Sequence, residues 1–182
     1  MRRALLPSLC AALVLGLASN ASAAGPVLQG GLMRTKLADS GDLRYQGLDG
    51  GAYKIGFEVG SHHWRSEWAF NQTVLSGYSE GADHRLTLTG FSYQLAFLLF
   101  EKGITPYLGV GGETGLASMR ETRPTGYDYA YTTDEGTYLR PYAVLGLRLQ
   151  FGFGLGVRAE VTGSYYGELV ALSTNVGLSY TW

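Results

Sequence analysis

The feature that most constrains this chain is an alternation of apolar residues with polar or small ones, recurring from end to end and running through the last residue. The final stretch, "NVGLSYTW" (175–182), puts Val176, Leu178, Tyr180 and Trp182 on one side of an extended chain and Asn175, Gly177, Ser179 and Thr181 on the other. Chain ends ordinarily fray, so a pattern kept to the last residue points to a terminal strand held by a partner. A period of two is the signature of a strand, because successive side chains point to opposite faces. Few windows keep a 3.6-residue period, and glycine supplies 27 of the 182 residues, so the chain reads as all-β.

Eight such segments can be read. The first, 26–36 ("PVLQGGLMRTK"), is the least regular. The second, 51–60, sets Tyr53, Ile55, Phe57 and Val59 against Lys54, Gly56, Glu58 and Gly60. The third, 64–73, sets Trp64, Trp68 and Phe70 against Arg65, Glu67, Ala69 and Asn71. In the fourth, 85–99, Thr89, Phe91, Tyr93, Leu95, Phe97 and Leu99 oppose Gly90, Ser92, Gln94 and Ala96. In the fifth, 105–116, Pro106, Leu108 and Val110 oppose Tyr107, Gly109, Gly111 and Glu113. The sixth, 137–151, opposes Leu139, Ala143, Leu145, Leu147 and Leu149 to Arg140, Tyr142, Gly146, Arg148 and Gln150. The seventh, 154–166, opposes Leu155, Val157, Ala159, Val161 and Tyr165 to Arg158, Glu160, Thr162 and Ser164; the eighth is 172–182. Connections near 61–63, 101–104 and 152–153 are short. Those over 37–50, 74–84, 117–136 and 167–171 are longer. A Pro-Tyr-x-x-x-Gly pattern occurs twice, in "TPYLGVGG" and "RPYAVLGL"; it reads as repeated strand chemistry, not as a solenoid period.

The amino terminus fixes the compartment. "MRRALLPSLCAALVLGLASNASA" carries two arginines, an apolar run interrupted by Pro7, and Ala21-Ser22-Ala23 as a small-x-small cleavage site. This is a secretory signal peptide over 1–23, and the run is too short for a spanning helix. The remaining 24–182 is one domain. Cys10, the single cysteine, lies inside the signal, and Leu9 before it does not fit a lipidation site. The mature chain is therefore expected to use no disulfide, although an exported protein could. Its 12 basic against 15 acidic residues speak against a phosphate-binding surface for nucleic acid.

Charge placement decides which face is the inside. The apolar faces of the second to eighth segments carry no charge. Their opposite faces carry Lys54, Glu58, Arg65, Glu67, Glu113, Arg140, Arg148, Arg158 and Glu160; Arg34, Lys36 and Arg85 lie at segment ends of uncertain parity. A soluble barrel or sandwich turns its apolar face inward, whereas a transmembrane barrel turns it to lipid and fills its interior with polar groups. Segments of 10 residues and more fit a tilted bilayer crossing of about 9–11, against about 5–6 in soluble sheets. Small residues on the charged face fit a narrow lumen, in which large side chains must alternate with small ones. Trp64, Trp68, Tyr53, Phe151, Tyr165, Tyr180 and Trp182, near segment ends on the apolar face, fit interfacial girdles. The predicted fold is an eight-stranded antiparallel up-and-down transmembrane β-barrel. Five basic and four acidic residues inside nearly cancel and are expected to pair. They form either a plug or, as the runner-up reading, a narrow channel for small solutes. A soluble secreted carrier is a further alternative.

The closing strand resembles the C-terminal assembly signal of bacterial outer-membrane barrels in Asn175, Gly177, Leu178, Tyr180 and Trp182, with Trp in place of the commoner terminal Phe. The mature chain as a whole resembles the eight-stranded outer-membrane barrels of the OmpA/OmpX type. That resemblance implies a Gram-negative outer-membrane location. It implies both termini in the periplasm, short periplasmic turns and long outer loops. Outer-membrane lipid and lipopolysaccharide are the implied surroundings, with the barrel-assembly machinery and periplasmic chaperones as partners during biogenesis. The chain is expected to be a monomer without cofactor or nucleic-acid partner.

Candidate chemistry is sparse. His62 and His63 fall in a predicted periplasmic turn and His84 at the outer end, so they read as separate, solvated turn residues and not as a metal site. Some small barrels modify lipid A, using in the deacylase branch a His and a Ser two positions apart. Here Arg65 follows His63 and Leu86 follows His84 at that spacing, so no His-x-Ser occurs, and the one Ser-x-His, Ser61 with His63, falls within the predicted periplasmic turn. A lipid-modifying enzyme is accordingly the weaker reading. The longest connection, "LASMRETRPTGYDYAYTTDEG", combines Arg123 with alternating Tyr127, Tyr129 and Tyr131, residue types favoured at recognition surfaces. The tyrosine alternation implies strands that rise beyond the membrane.

Overall fold

The computed structural model describes residues 23–37, 47–101, 103–125, 128–166 and 169–182. The region read as a signal peptide falls almost wholly outside them, as do Lys102 and Tyr127. Eight antiparallel strands form one closed ring in chain order: β1 (Ala23–Leu37), β2 (Asp49–Gly60), β3 (Trp64–Ser79), β4 (Ala82–Leu98), β5 (Ile104–Thr125), β6 (Asp128–Gln150), β7 (Leu155–Tyr166) and β8 (Leu169–Tyr180). β1 closes on β8 from Val27 opposite Ser179 to Leu37 opposite Leu169. Closure leaves neither strand with an open edge in this stretch, the condition for a sheet surrounded by hydrocarbon.

The register fixes the shape. A walk through directly opposed residues runs Arg148, Arg158, Gly177, Gln29, Lys54, Asn71, Gly90, Gly115 and back to β6 at Tyr138. The return falls ten residues from the start. With eight strands, that stagger tilts them by about 40° and leaves an interior that side chains can fill or that can hold at most one small ligand. The doubled Pro-Tyr-x-x-x-Gly pattern serves this narrowness. On antiparallel β5 and β6 it sets Tyr107 opposite Gly146 and Gly111 opposite Tyr142. Each tyrosine ring lies over the glycine across from it: a Cβ on Gly146 would stand 2.6 Å from the Tyr107 hydroxyl and would overlap the ring carbon that bears it.

The pleat keeps the predicted faces. Leu95 and Phe97 of β4 point outward while Gln94 and Ala96 are buried inside. The connections differ more. The stretch 74–84, read as a long connection, is strand on both sides of a two-residue turn in which Glu80 (φ 51°) and Gly81 (φ 76°) both take the left-handed conformation. That pair of positive angles makes the tight hairpin turn whose twist matches its strands. The stretch 117–136 is likewise mostly strand, pairing from Leu116 opposite Thr137 to Thr125 opposite Asp128. Among the described residues, the far end of the barrel is thus set apart by how far β5 and β6 continue.

Candidate functional site: a graded lumen and a projecting hairpin

Inside the half that holds Ala24 and Trp182, the charged residues form one network. The Arg148 guanidinium donates to both Glu58 oxygens, at 2.6 and 3.2 Å. Arg158 lies 2.6 Å from Glu67, 3.6 Å from Glu58 and 3.8 Å from Glu160. Lys54 lies 2.7 Å from Glu67 and 3.8 Å from Glu160. The Tyr107 hydroxyl donates to Glu160 at 2.6 Å. Nearer mid-barrel, Arg140 reaches Glu113 at 2.6 Å, and the Tyr138 hydroxyl donates to the same carboxylate. Burying one ion alone is expensive. Here each of these eight has an opposite charge within 4 Å. Arg65, the ninth inward charge, makes no ion pair among the described residues.

The free space grows away from this network. About 20 Å³ remains among Glu58, Glu67, Arg148 and Arg158, close to the room one water needs. Mid-barrel, about 60 Å³ lies among Gln29, Asn71, Gln94 and Asn175. Toward the far end the lining changes character. Met33, Leu75, Leu86, Leu88, Met119 and Ala171 turn inward and, with Leu48 and Tyr138, form the largest buried apolar cluster among the described residues. They border a cavity of about 200 Å³ with Asp134 and Glu135 at its rim and Arg140 at its floor. Leu48 is pinned over β1: its N–H donates to the Thr35 hydroxyl at 3.1 Å, and the Thr35 N–H donates to its carbonyl at 2.9 Å. Sequence reasoning missed this apolar chamber. The available signal was the shift in β4 from inward Leu86 and Leu88 to outward Phe91 and Leu95.

The histidines are placed differently from one another. His62 and His63 flank Glu101 at the terminal end, at 3.3 and 3.7 Å, and the His63 ring stacks on Phe97. His84, read as a solvated turn residue, is instead a β4 residue on the inner face with 1% exposure. Being opposite in parity to the outward Asp83 and Arg85, it is enclosed: its Nε2 donates to the Ser79 carbonyl at 3.2 Å, and Glu121 lies 3.9 Å from its Nδ1.

β6 pairs with β7 only from Tyr142 to Gln150. Residues 128–141 therefore have no strand paired with them on that side among the described residues, and Pro141, which has no N–H to offer, stands where the pairing stops. Tyr129 and Tyr131 are 69% exposed there. Arg120 lies 4.9 Å over the Tyr131 ring, and Arg123 pairs with Glu121. Of the residues singled out for recognition, Tyr127 lies outside the described residues.

No protein-family model and no curated protein matches the chain. Solved structures do. Ail, the attachment invasion locus protein of Yersinia pestis, aligns with a TM-score of 0.59 at 14% identity over 88% of this chain and 98% of its own. Neisserial surface protein A aligns with a TM-score of 0.56 at 15% identity over 87% and 98%. The fold is that of the small outer-membrane β-barrels.

The outer wall agrees with an outer-membrane barrel. Leu32, Phe91, Val110, Leu145 and Val176 are all more than 60% exposed on the outward face, a surface a water-soluble monomer would hide. At the terminal end the aromatics meet in pairs: Trp64 against Phe97 at 5.1 Å, Phe151 against Phe153 at 5.8 Å, and Trp182 against Phe57 and Tyr180 at 6.2 Å each. Of the proposed assembly-signal residues, Leu178, Tyr180 and Trp182 line this outer wall while Asn175 and Gly177 face the lumen. The Trp182 N–H donates to the Ala24 carbonyl at 3.1 Å across the β1–β8 seam. Arg34 and Arg85, whose parity the sequence left open, face outward; Arg34 meets Asp49 at 3.1 Å.

Proposed function

We propose that this chain is a monomeric integral protein of the bacterial outer membrane, exported through residues 1–23, with a lumen closed by its own ion pairs and a surface-interaction role at the far end. In this reading the far end faces outward from the cell, and the protein is not an enzyme. One observation carries the surface role: the β5–β6 hairpin outruns its neighbours. At roughly 3.3 Å per residue, the 23 residues of β6 extend about 75 Å along the strand against about 40 Å for the 12 of β7. The surplus holds exposed tyrosines and arginines beside a strand edge that has no paired strand among the described residues. Such an edge is a template for an added strand. The barrel wall below does not depend on it, since every β6 pairing with β7 lies beyond Pro141.

The test is a deletion of residues 120–134 in cells that display the protein. The full chain should promote adhesion to host-cell or matrix surfaces over cells lacking it. The deletion should abolish adhesion while the purified barrel still migrates as a folded band in unheated SDS gels. Adhesion that survives the deletion, or a full chain that confers none, would remove the basis of this proposal.

A further inference from the structure

We infer that the apolar chamber in the far half of the lumen is a binding site for a small single-ring aromatic molecule carrying an oxygen acceptor. The volume sets the size: a closed apolar cavity of about 150 Å³ stays dry and takes up benzene, and this one offers about 200 Å³, room for a ring with one or two substituents. The walls set the type. Leu75, Leu86, Leu88 and Ala171 offer no hydrogen bond, and the two methionine thioethers, Met33 and Met119, are soft groups that favour aromatic edges. The floor sets the polar end. Arg140 is held by Glu113 through one terminal nitrogen and donates through the other to the Met33 sulfur at 3.3 Å, while its buried Nε lacks a hydrogen-bond partner. Because Arg140 borders both the chamber and the polar void beneath it, an acceptor oxygen at the floor would satisfy that donor without leaving the apolar walls. A lumen serving only as a plug does not require this design, since the opposite half is filled by paired ions.

The sequence supplies the probe. Beyond the initiator there are two methionines in the chain, and both line the chamber. In protein labelled with ¹³C-methyl methionine and refolded into lipid nanodiscs, p-cresol should shift both methyl resonances saturably in the sub-millimolar range. Toluene should do so with about ten- to a hundredfold weaker affinity, as for one lost hydrogen bond from a charged donor. The substitution A171F, or A117F where the first does not refold, fills the chamber and should abolish the saturable shift. Equal affinity for toluene would overturn the acceptor assignment. Shifts that grow linearly without saturating, or saturation that survives in the filled variant, would overturn the site.

Discussion

Arg148 and Glu58 stand ninety residues apart in the chain and meet through two hydrogen bonds in the interior, with 5% and 1% of their side chains exposed. The contact exists because the ring closes with a ten-residue stagger, which carries the terminal part of β2 across from that of β6. Removing one partner leaves the other buried and charged. R148M is expected to lower stability by about 3 kcal/mol in urea titrations from lipid vesicles, the low end for a broken buried pair, because Glu58 keeps Arg158 at 3.6 Å. The double variant E58M/R148M should recover most of the loss, since Arg158 still has Glu67 at 2.6 Å. A double variant as unstable as the two single losses combined would show that the pair does more than cancel its own burial.

The tyrosine-over-glycine pairs make a second prediction. Tyr107 cannot hold its ring position if Gly146 acquires a side chain, and with the ring goes the 2.6 Å hydrogen bond to Glu160. Y107F removes only the donor and should cost about 1–3 kcal/mol, the range for leaving a buried acceptor unmade. G146A should cost more in the wild-type background and little in a Y107A background, because the atom it strikes is then gone. Additive losses in that cycle, read from urea midpoints, would refute the contact.

Much of this arrangement could be read in the sequence, and the parts that could not share a cause. Alternation places Lys54, Glu58, Glu67, Arg148, Arg158 and Glu160 on one face because the pleat has a fixed period of two. It says nothing of which of them meet, since partners are set by the stagger of the closed ring. It also assumes that a face keeps its chemistry. β4 does not: its inward side is apolar at Leu86 and Leu88 and polar at Ser92 and Gln94. A strand whose greasy side changes part-way reads as a break, which is why alternation alone makes 74–84 a connection and His84 a solvated residue. The hairpin was half legible, through alternating tyrosines, because apolar alternation stops at Leu116 and Leu139 although the pairing continues.

Trp182 separates assembly from stability. Its backbone N–H bonds Ala24 across the closing seam and its ring meets Phe57 and Tyr180, so W182F keeps both the bond and the aromatic character. W182F should reach the membrane as folded, heat-modifiable protein at near wild-type levels. Deleting Trp182 should reduce that fraction several-fold in cells while lowering urea stability of the refolded protein by only about 1 kcal/mol, one exposed-end hydrogen bond. If the deletion assembled normally in cells, the terminal residue would not be part of a signal read during assembly.

The graded lumen predicts conductance behaviour. A permeant ion entering from the far end would pass about 200 Å³, then about 60 Å³, then about 20 Å³, and the last constriction is closed by Arg148 and Arg158 among Glu58, Glu67 and Glu160. No hydrated ion fits a space near that of one water, and displacing either arginine separates buried opposite charges. The wild-type barrel in planar bilayers should therefore show no long-lived unitary openings. R148A/R158A removes both large side chains and leaves Glu58, Glu67 and Glu160 against only Arg65 and Lys54, so the gap becomes net negative. It should open the lumen and favour cations, as a ring of acidic side chains does, shifting the reversal potential in a salt gradient toward that of the cation. Wild-type openings as frequent as those of the double variant would mean that the ion pairs yield readily and that the barrel conducts.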